Sequence, residues 1–354
     1  MNLYENQLYI EDLDYVRNLD LPWEQLSNKR ILISGATGLV GSFLVDVLMR
    51  KNELDSLNVT VYALCRNASK AESRFSYWKH SHQIKFVYCD INNPFNKFES
   101  ETIDFVIHLA SNTHPIQYST DPIGTITTNI IGLRNMLDFA VEHHSVRFMF
   151  ASSNEIYGEN RGDVELFDEN YCGYINSNTI RAGYPESKRC GEALCQAYKY
   201  QKNLYVVIPR LTRSYGPTML MTDSKAISQF LKKALLGEDI VLKSKGNQYY
   251  SYTYVADAVS GLFHVLFKAE NGETYNIADQ RSDIKLMDLA SMIAELAKKK
   301  VVFEIPDEIE SSGYSKATKA RLDGSKIKKL GWKAKYDMKN GLSRTLRVLK
   351  EEEK

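Results

Sequence analysis

The chain has 354 residues, of which 45 are lysine or arginine, 44 are aspartate or glutamate, and 44% are hydrophobic. This size allows two domains or one large domain with a sizeable core. The balanced charge gives no global attraction to nucleic acid or to an anionic membrane. No apolar run is long enough to span a bilayer, and the N-terminus lacks the apolar core of a signal peptide.

The cysteines and histidines indicate a cytoplasmic protein without a metal. The five cysteines, at positions 65, 89, 172, 190 and 195, form no C-x-x-C pair, which is typical of reduced thiols. The seven histidines are scattered, with no H-E-x-x-H motif or Cys/His cluster, so we predict no metal site. His108, inside FVIHLA, is expected to be a hydrogen-bonded histidine at a strand end.

Residues 1–28 form a polar and aromatic N-terminal extension that we expect to be partly helical and to pack on a domain edge. From residue 29, apolar strands alternate with helices. The predicted strands are 30–35, 58–66, 84–90, 104–110, 146–153 and 204–210, and the predicted helices are 38–51, 123–144 and 184–201. Continuous apolar strands that alternate with helices predict an α/β fold, a doubly wound parallel sheet of the Rossmann type.

The pattern changes after residue 209. Helices are predicted at 226–237, 255–269 and 286–299, with a short strand at 239–243 and longer loops rich in tyrosine and glycine. We therefore predict an NAD(P)-binding domain at 29–212 and a smaller mixed α/β substrate lobe at 213–354. The helix at 253–268 is expected to return to the first domain.

A glycine-rich loop, GATGLVG at 35–41, lies between the first predicted strand and the first predicted helix. Glycines let such a loop turn tightly and approach a pyrophosphate, which then sits on the helix N-terminus. The loop could be a plain turn, but its place between strand and helix favours a dinucleotide site. Its predicted cofactor contacts are Gly35, Thr37, Gly38, Leu39, Val40 and Gly41.

The ends of the next strands extend the predicted cofactor site. Where an acidic residue would bind the ribose 2′-hydroxyl of NAD, the chain has Cys65 and Arg66. An arginine there can pair with the 2′-phosphate of NADP, but it can also stack on adenine or lie at the surface. NAD and NADP both stay open, with a slight preference for NADP. Further contacts are predicted at Asp90, Ile91, Leu109, Ala110 and Ser111.

Tyr184 and Lys188 form a Y-x-x-x-K pattern, so that phenol and ammonium share one face of a helix. The ammonium and an oxidised nicotinamide favour the phenolate, a base that takes a hydroxyl proton while hydride leaves. In SSNEIYG, at 152–158, Ser153 is expected to orient that hydroxyl. Glu155 is either a base that removes a proton beside the new ketone or a cap of the next turn, and the base is favoured.

Together these residues resemble the extended short-chain dehydrogenase/reductase family, in its branch of NAD(P)-dependent sugar-nucleotide epimerases, dehydratases and decarboxylases. Ser153, Tyr184 and Lys188 match the catalytic residues of that family, and Asn129 matches its structural asparagine. The resemblance implies that Asn129, Tyr184 and Lys188 also contact the cofactor. IPRLTRSYGP, with Pro209 and Arg210, resembles the nicotinamide side of the pocket, and YTYVADAVSGL resembles a Y-V-x-D helix start. SSNEIYG is similar to the same stretch of 4,6-dehydratases and UDP-glucuronate decarboxylases.

The chain departs from the family at several substrate positions. Asn154 replaces the aspartate acid of the dehydratases, and asparagine cannot give a proton to a leaving hydroxide. Tyr250 and Thr218 stand where the family has arginines, and Thr212 stands where it has an asparagine, with Arg213 as a possible substitute anion anchor. Substrate contacts are predicted at Thr113, Thr212, Arg213 and Tyr250.

The resemblance implies an enzyme that oxidises a nucleotide-activated sugar or related polyol with tightly bound NAD(P)+, eliminates or inverts beside the ketone, and returns the hydride. Asn154 supports proton abstraction more than loss of water. A UDP-glucuronate-decarboxylase-like enzyme, an NADPH-dependent reductase and a catalytically silent cofactor-binding protein are the alternatives. The resemblance also implies a homodimer through the helices at 122–144 and 184–201, with Cys190, Ala193 and Cys195 as packing residues.

Overall fold

The structure is a computed structural model that describes residues 3–94, 102–113, 115–304 and 318–352. The strands are β1 (Arg30–Ser34), β2 (Thr60–Cys65), β3 (Ile84–Tyr88), β4 (Phe105–His108), β5 (Arg147–Phe150), β6 (Ser152–Ser153), β7 (Val206–Leu211), β8 (Arg213–Tyr215), β9 (Ile240–Leu242), β10 (Tyr249–Tyr254), β11 (Thr274–Ile277), β12 (Asp283–Lys285), β13 (Val301–Phe303) and β14 (Lys319–Ala320). The α-helices are α1 (Gln7–Arg17), α2 (Leu39–Asp55), α3 (Ala68–Arg74), α4 (Pro115–Thr120), α5 (Pro122–Thr127), α6 (Leu133–Glu142), α7 (Gly183–Lys202), α8 (Ala226–Leu235), α9 (Val255–Lys268), α10 (Leu286–Ala297), α11 (Ser325–Lys328) and α12 (Met338–Glu352).

The main sheet has eight strands in the order β11-β7-β5-β4-β1-β2-β3, and β6 also pairs with β7. All of these pairs are parallel. The strand order reverses between β1 and β4, and a crevice opens at the carboxyl ends of strands at such a point. The predicted doubly wound sheet is confirmed.

Alternate residues of β1 enter two different cores. Ile31 and Ile33 belong to the apolar cluster that includes α2, whereas Leu32 belongs to the cluster that includes α6. All three side chains are fully buried, and each such burial contributes about 1.5–3 kcal/mol. A strand covered on both faces therefore reads as a continuous apolar run, which is the pattern that the sequence shows.

The second lobe is built around β10, which pairs with β8 and β14 in parallel and with β12 in antiparallel fashion. A separate parallel pair, β9 and β13, lies beside α8 and α10. The sequence analysis did not predict β10, because its run YYSYTY lacks an apolar/polar alternation. The chain returns to the first domain through two elements. Helix α9, which begins at Val255, contacts α2 and β7, and strand β11 pairs with β7 in the main sheet.

Two predicted elements are divided in the structure. The strand predicted at 146–153 becomes β5 and β6, since Ser152 and Ser153 pair with β7 alone. The helix predicted at 123–144 contains a π-helical segment, Thr128–Gly132, between α5 and α6. Asn129 lies in this segment and donates to the Ser187 hydroxyl at 2.9 Å. A π-segment inside a helix often marks a functional position.

The N-terminal extension packs on both parts of the fold. Helix α1 lies against α2 and α9 and also contacts α12. The carboxylate of Asp12 accepts hydrogen bonds from the Tyr254 hydroxyl at 2.6 Å and from the Arg344 guanidinium at 2.9 Å. The extension thus links the end of β10 to the C-terminal helix.

Candidate active site

A cleft with a volume of about 800 Å³ lies at the carboxyl edge of the main sheet and is covered by the second lobe. Its walls include the glycine-rich loop, the ends of β2, β4 and β5, the start of α7, and parts of β8, β9 and β10. The cleft brings together residues that lie far apart in the sequence, and these include most of the predicted site residues.

The glycine-rich loop fits a close approach to a ligand. Gly35 has φ +71°, and a Cβ there would lie 2.7 Å from the backbone nitrogen of Ala110. A Cβ on Gly41 would lie 2.2 Å from the Gly35 carbonyl oxygen. Gly38 precedes α2 and supplies no side-chain cap, so the first amides of α2 keep donors for a ligand phosphate. Thr37, Leu39 and Val40 also line the cleft, and this lining fits the pyrophosphate of a dinucleotide.

The far end of this half of the cleft is cationic. Arg66 and Lys70 line it beside Cys65 and Asn67. The pKa of Lys70 is lowered, first by burial and then by the charge of Arg66. Asp90 and Ile91, at the end of β3, line the same region, as do Leu109, Ala110 and Ser111 at the end of β4.

A buried hydrogen-bond chain supports the middle of the cleft. The Ser111 hydroxyl donates to the Asn129 amide oxygen at 2.7 Å, and the Asn129 amide nitrogen donates to Ser187 at 2.9 Å. Ser187 in turn donates to the Tyr184 carbonyl oxygen at 2.9 Å. Asn129 is buried and does not line the cleft, so it acts on this wall through its neighbours.

Tyr184 and Lys188 both lie in the cleft wall, one turn apart on α7. Lys188 donates to the Ala151 carbonyl oxygen at 2.9 Å, and burial lowers its pKa to about 8, although Cys195 and Glu192 oppose this shift. Burial raises the pKa of Tyr184 to about 12, and the charge of Glu155 adds to this effect. Hydrogen bonds from Ser153 and Ser111 act in the opposite direction. The raised pKa favours the protonated phenol in the protein alone, and the phenolate that the sequence analysis expected requires the positive charge of an oxidised nicotinamide as well as the ammonium.

Glu155 has a partner that the sequence analysis missed. Its carboxylate forms an ion pair with Arg181, with Nη2 and Oε2 2.5 Å apart and both side chains largely buried. The Arg181 guanidinium lies 4.6 Å from the centre of the Tyr118 ring, and Tyr118 stacks on Tyr184 with ring centres 4.8 Å apart. Asn154 lies beside Glu155 in the cleft wall and is buried.

The signals for these two missed residues differ. Arg181 stands three residues before Tyr184, so its place at the entrance of the same helix could have been inferred. Tyr118 lies on α4, a helix that the sequence did not predict. Its contact with Tyr184 joins two distant segments and leaves no local pattern.

The second lobe contributes a stacked pair. The Arg213 guanidinium lies 3.5 Å from the centre of the Tyr250 ring, and its Nη1 is buried with no hydrogen-bond partner among the described residues. Thr212 shares a 2.6 Å hydrogen bond with Thr253. Thr113 accepts a long hydrogen bond from Lys225 at 3.4 Å. The four predicted substrate contacts thus line one cleft.

Three predicted cofactor contacts do not line the cleft: Asn129, Pro209 and Arg210. Pro209 and Arg210 belong to β7 and do not line the cleft. The Arg210 guanidinium is occupied by Glu192, to which Nη2 donates at 2.7 Å. The Thr218 hydroxyl donates a 2.7 Å hydrogen bond to the carbonyl oxygen of Leu39, the first residue of α2.

His108 is buried at the end of β4. Its Nδ1 shares a 2.7 Å hydrogen bond with Ser34, whereas its Nε2 has no partner among the described residues. Burial lowers the pKa of His108 to about 3, and the charge of Lys188 adds to this shift. The ring is therefore neutral. Within the described part of the chain, only Nδ1 forms the hydrogen bond that the sequence analysis expected for this histidine.

Comparison with known proteins fits this geometry. The model of the NAD dependent epimerase/dehydratase family matches residues 31–278. The chain belongs to this family. UDP-glucuronic acid decarboxylase 6 of Arabidopsis thaliana is 31% identical over 317 residues, covering 89% of this chain and 87% of that protein. UDP-glucuronic acid decarboxylase 1 of Xenopus tropicalis is 31% identical over 324 residues, covering 92% and 73%.

Solved structures of other epimerase/dehydratase enzymes share the fold. A dTDP-glucose 4,6-dehydratase from Streptomyces venezuelae has a TM-score of 0.77 at 23% identity and covers 91% of this chain and 97% of its own. A UDP-glucose 4-epimerase from Thermotoga maritima has a TM-score of 0.78 at 22% identity and covers 92% and 100%. The predicted family and the prediction of an enzyme are confirmed.

Other features of this epimerase/dehydratase enzyme concern metals, thiols and membranes. Within the described ranges, no group of three or more His, Cys, Asp or Glu side chains is placed to hold a metal ion. All five cysteines are free thiols, with Cys65 and Cys195 buried. None of the helices described is both long enough and apolar enough to cross a bilayer.

Proposed function

We propose that this enzyme removes carbon dioxide from a nucleotide-activated uronic acid after oxidising a ring hydroxyl beside the carboxylated carbon. A bound nicotinamide cofactor supplies a hydride acceptor that gives the hydride back within the same cycle. The observation that carries the proposal is the ion pair of Glu155 and Arg181 beside Asn154, at the catalytic end of the cleft.

Three residues of the chain serve the oxidation. Tyr184 takes the hydroxyl proton, and Ser153, at the end of the adjacent strand, orients that hydroxyl. The neighbouring ammonium of Lys188 favours the phenolate once an oxidised nicotinamide adds a second positive charge. Proton removal by a positioned side chain typically accelerates such a step by about 10²–10⁴-fold.

The neighbouring residues favour loss of carbon dioxide over loss of water. Dehydration needs a base for the ring proton and an acid for the leaving hydroxide. Here the carboxylate of Glu155 is paired with Arg181, and Asn154 has no proton to give. A β-keto acid releases carbon dioxide as a neutral molecule, so it needs no acid. In this proposal Glu155 holds the water that protonates the carbon left behind.

The family relatives support the same branch. The decarboxylases are about 31% identical over nearly the whole chain. The sequence analysis placed dehydration or epimerisation first, because Tyr250, Thr212 and Thr218 depart from the family's substrate anchors. In the structure, Arg213 stacks on Tyr250, and its Nη1 has no hydrogen-bond partner within the part of the chain that the structure describes. We propose that Arg213 binds the diphosphate of the substrate in place of the missing arginines.

The cofactor preference is a finer proposal. The family is NAD-dependent, but Arg66 and Lys70 line the end of the cleft beyond β2. Cations there suit the 2′-phosphate of NADP. We propose that the protein binds NADP+ at least as tightly as NAD+ and that Arg66→Ala selectively weakens NADP+. Equal weakening of both cofactors in Arg66→Ala would contradict this.

We also propose that two chains associate through α7 and the α5–α6 region. Cys190, Ala193, Ala197 and Tyr200 lie exposed at intervals that place them on one face of α7. Two exposed isoleucines, Ile123 and Ile126, lie on α5, which packs against α7. Light scattering of wild type and Ala193→Glu tests this, with a dimer expected only for wild type. A monomeric wild type would contradict it.

The proposed reaction is tested with a panel of nucleotide sugars and either cofactor, read by mass spectrometry. UDP-glucuronate is expected to lose carbon dioxide, whereas UDP-glucose and dTDP-glucose are expected to keep their mass. Loss of water from a hexose substrate would show a dehydratase. Isomerisation of unchanged mass would show an epimerase, and net cofactor consumption would show a reductase.

A further inference from the structure

Arg181 has hydrogen-bonding capacity that the protein does not use. Its Nη2 donates to Glu155 at 2.5 Å, while its Nε is buried without a hydrogen-bond partner among the described residues. An unpaired buried donor on a charged group costs more than one on a neutral group. Because Arg181 also lines the cleft, the unused donor indicates a ligand acceptor.

The guanidinium is held in a fixed place. It lies over the Tyr118 ring at 4.6 Å, and that ring stacks on the catalytic Tyr184 at 4.8 Å. Arg181, Tyr118 and Tyr184 therefore form one stack at the wall where the reacting hydroxyl would lie. An arginine stacked in this way loses less conformational freedom when it binds a planar acid.

Several other cations near this end of the cleft already donate hydrogen bonds to groups of the protein. Arg189 donates to the Ile156 and Gly173 carbonyl oxygens at 2.6 and 2.8 Å. Arg210 is paired with Glu192, and Lys188 donates to Ala151. Arg213 also has a donor, Nη1, that meets no acceptor among the described residues, but it lies beside Tyr250 on the second lobe.

We propose that Arg181 is the residue that recognises the substrate carboxylate, and that its unused Nε donates to one carboxylate oxygen. The inference rests on the proposed function, because it names the group that selects a uronic acid. The ion pair with Glu155 also keeps the site nearly neutral, so that an anionic substrate group is not repelled by the glutamate.

This placement gives a balanced reaction. The ring hydroxyl loses a proton to Tyr184 and its carbon loses a hydride, which gives a ketone beside the carboxylated carbon. The bond to the carboxylate carbon breaks, carbon dioxide leaves, and the electron pair stays as an enolate. The enolate carbon takes a proton from water held by Glu155, and the hydroxide left behind takes a proton from solvent, so that the overall reaction consumes one proton. The hydride and the Tyr184 proton return to the ketone.

The test measures binding rather than turnover. The protein loaded with NAD+ carries Tyr184→Phe, which keeps the aromatic ring beside Tyr118 but blocks oxidation. Titration calorimetry gives the Kd of UDP-glucuronate and of UDP-glucose, which differ at the carboxylate. We expect UDP-glucuronate to bind about tenfold more tightly, the size of one charged hydrogen bond. In Arg181→Gln the two Kd values become equal, and in Arg181→Lys part of the preference persists.

The matched control is Arg213→Gln in the same cleft. It weakens both ligands and leaves their ratio unchanged, because both carry the diphosphate. Equal binding of the two ligands before Arg181 is changed, or an intact preference in a folded Arg181→Gln protein, overturns the inference. If UDP-glucuronate binds more tightly than UDP-glucose but the wild type releases no carbon dioxide, the proposed function is overturned and Arg181 remains the carboxylate site. If the wild type releases carbon dioxide but the ratio of the two Kd values is unchanged in Arg181→Gln, only the inference about Arg181 is overturned.

Discussion

Arg210 and Glu192 form two parallel hydrogen bonds behind the catalytic turn, Nε to Oε1 at 2.9 Å and Nη2 to Oε2 at 2.7 Å. Glu192 Oε1 also accepts from the Ser152 hydroxyl at 2.5 Å, and Arg210 Nη1 donates to the Tyr157 hydroxyl at 2.9 Å. Both ends of the segment that carries Ser153 and Glu155 are therefore fixed to this pair. Since Glu192 lies one turn after Lys188 on α7, the pair sets the position of the turn relative to the helix.

Glu192→Gln is expected to shift the pH dependence of cofactor binding. Burial lowers the pKa of Lys188 to about 8, and the negative charge of Glu192 opposes this shift. Removing the Glu192 charge lowers the pKa of Lys188 further, so the charged form is lost at a lower pH. The Kd of NAD+ should rise on the alkaline side near pH 8 in the wild type and at a lower pH in the variant.

The control for this measurement is Asp12→Asn, which removes the acid of another ion pair, with Arg344, and neither residue lines the cleft. Asp12→Asn should lower the free energy of unfolding without changing the pH at which the Kd of NAD+ begins to rise. Hydrogen exchange of peptides covering 152–158 gives a readout without cofactor, and faster exchange is expected only in Glu192→Gln. If Glu192→Gln changes neither the pH dependence of the Kd of NAD+ nor the hydrogen exchange of residues 152–158, Glu192 has no positioning role.

Gly35→Ala is expected to destabilise the fold and to abolish cofactor binding. Gly35 has φ +71°, and the added Cβ would overlap the backbone of Ala110 and Leu109. Gly162 has φ +85°, but a Cβ added there would meet no atom within 4 Å, so Gly162→Ala carries the conformational cost of about 1–2 kcal/mol alone. Urea denaturation should show a larger loss for Gly35→Ala. Equal losses would mean that the close approach to β4 contributes nothing.

Glu155→Gln is expected to separate oxidation from the later steps. Tyr184 and Ser153 are unchanged, and without the charge of Glu155 the pKa of Tyr184 is raised less. Reduced nicotinamide should therefore accumulate during one turnover, while the final product forms slowly. Glu186→Gln is the control, because Glu186 lies on the same helix and bonds Ser177 at the surface. Normal product formation in Glu155→Gln would make Glu155 a structural residue.

The sequence predicted the main sheet because both faces of its strands are buried, so that each strand is a long apolar run. It also predicted the wall formed by Gly35, Ser153, Tyr184 and Lys188, since each follows a strand or begins a helix at the same edge. It did not predict the partners of Glu155, because stacking and ion pairing join distant segments. The cofactor role assigned to Arg210 came from its place in a motif, whereas its guanidinium faces Glu192.

The most direct test of the proposed reaction follows the carboxyl carbon of UDP-glucuronate. With substrate labelled at that carbon, the wild-type protein and NAD+ should release labelled carbon dioxide, with no net change in the amount of oxidised cofactor. Tyr184→Phe should release none while still binding cofactor and substrate. Retention of the label by the wild-type protein, or release that persists in Tyr184→Phe, would contradict decarboxylation through a ketone formed by Tyr184.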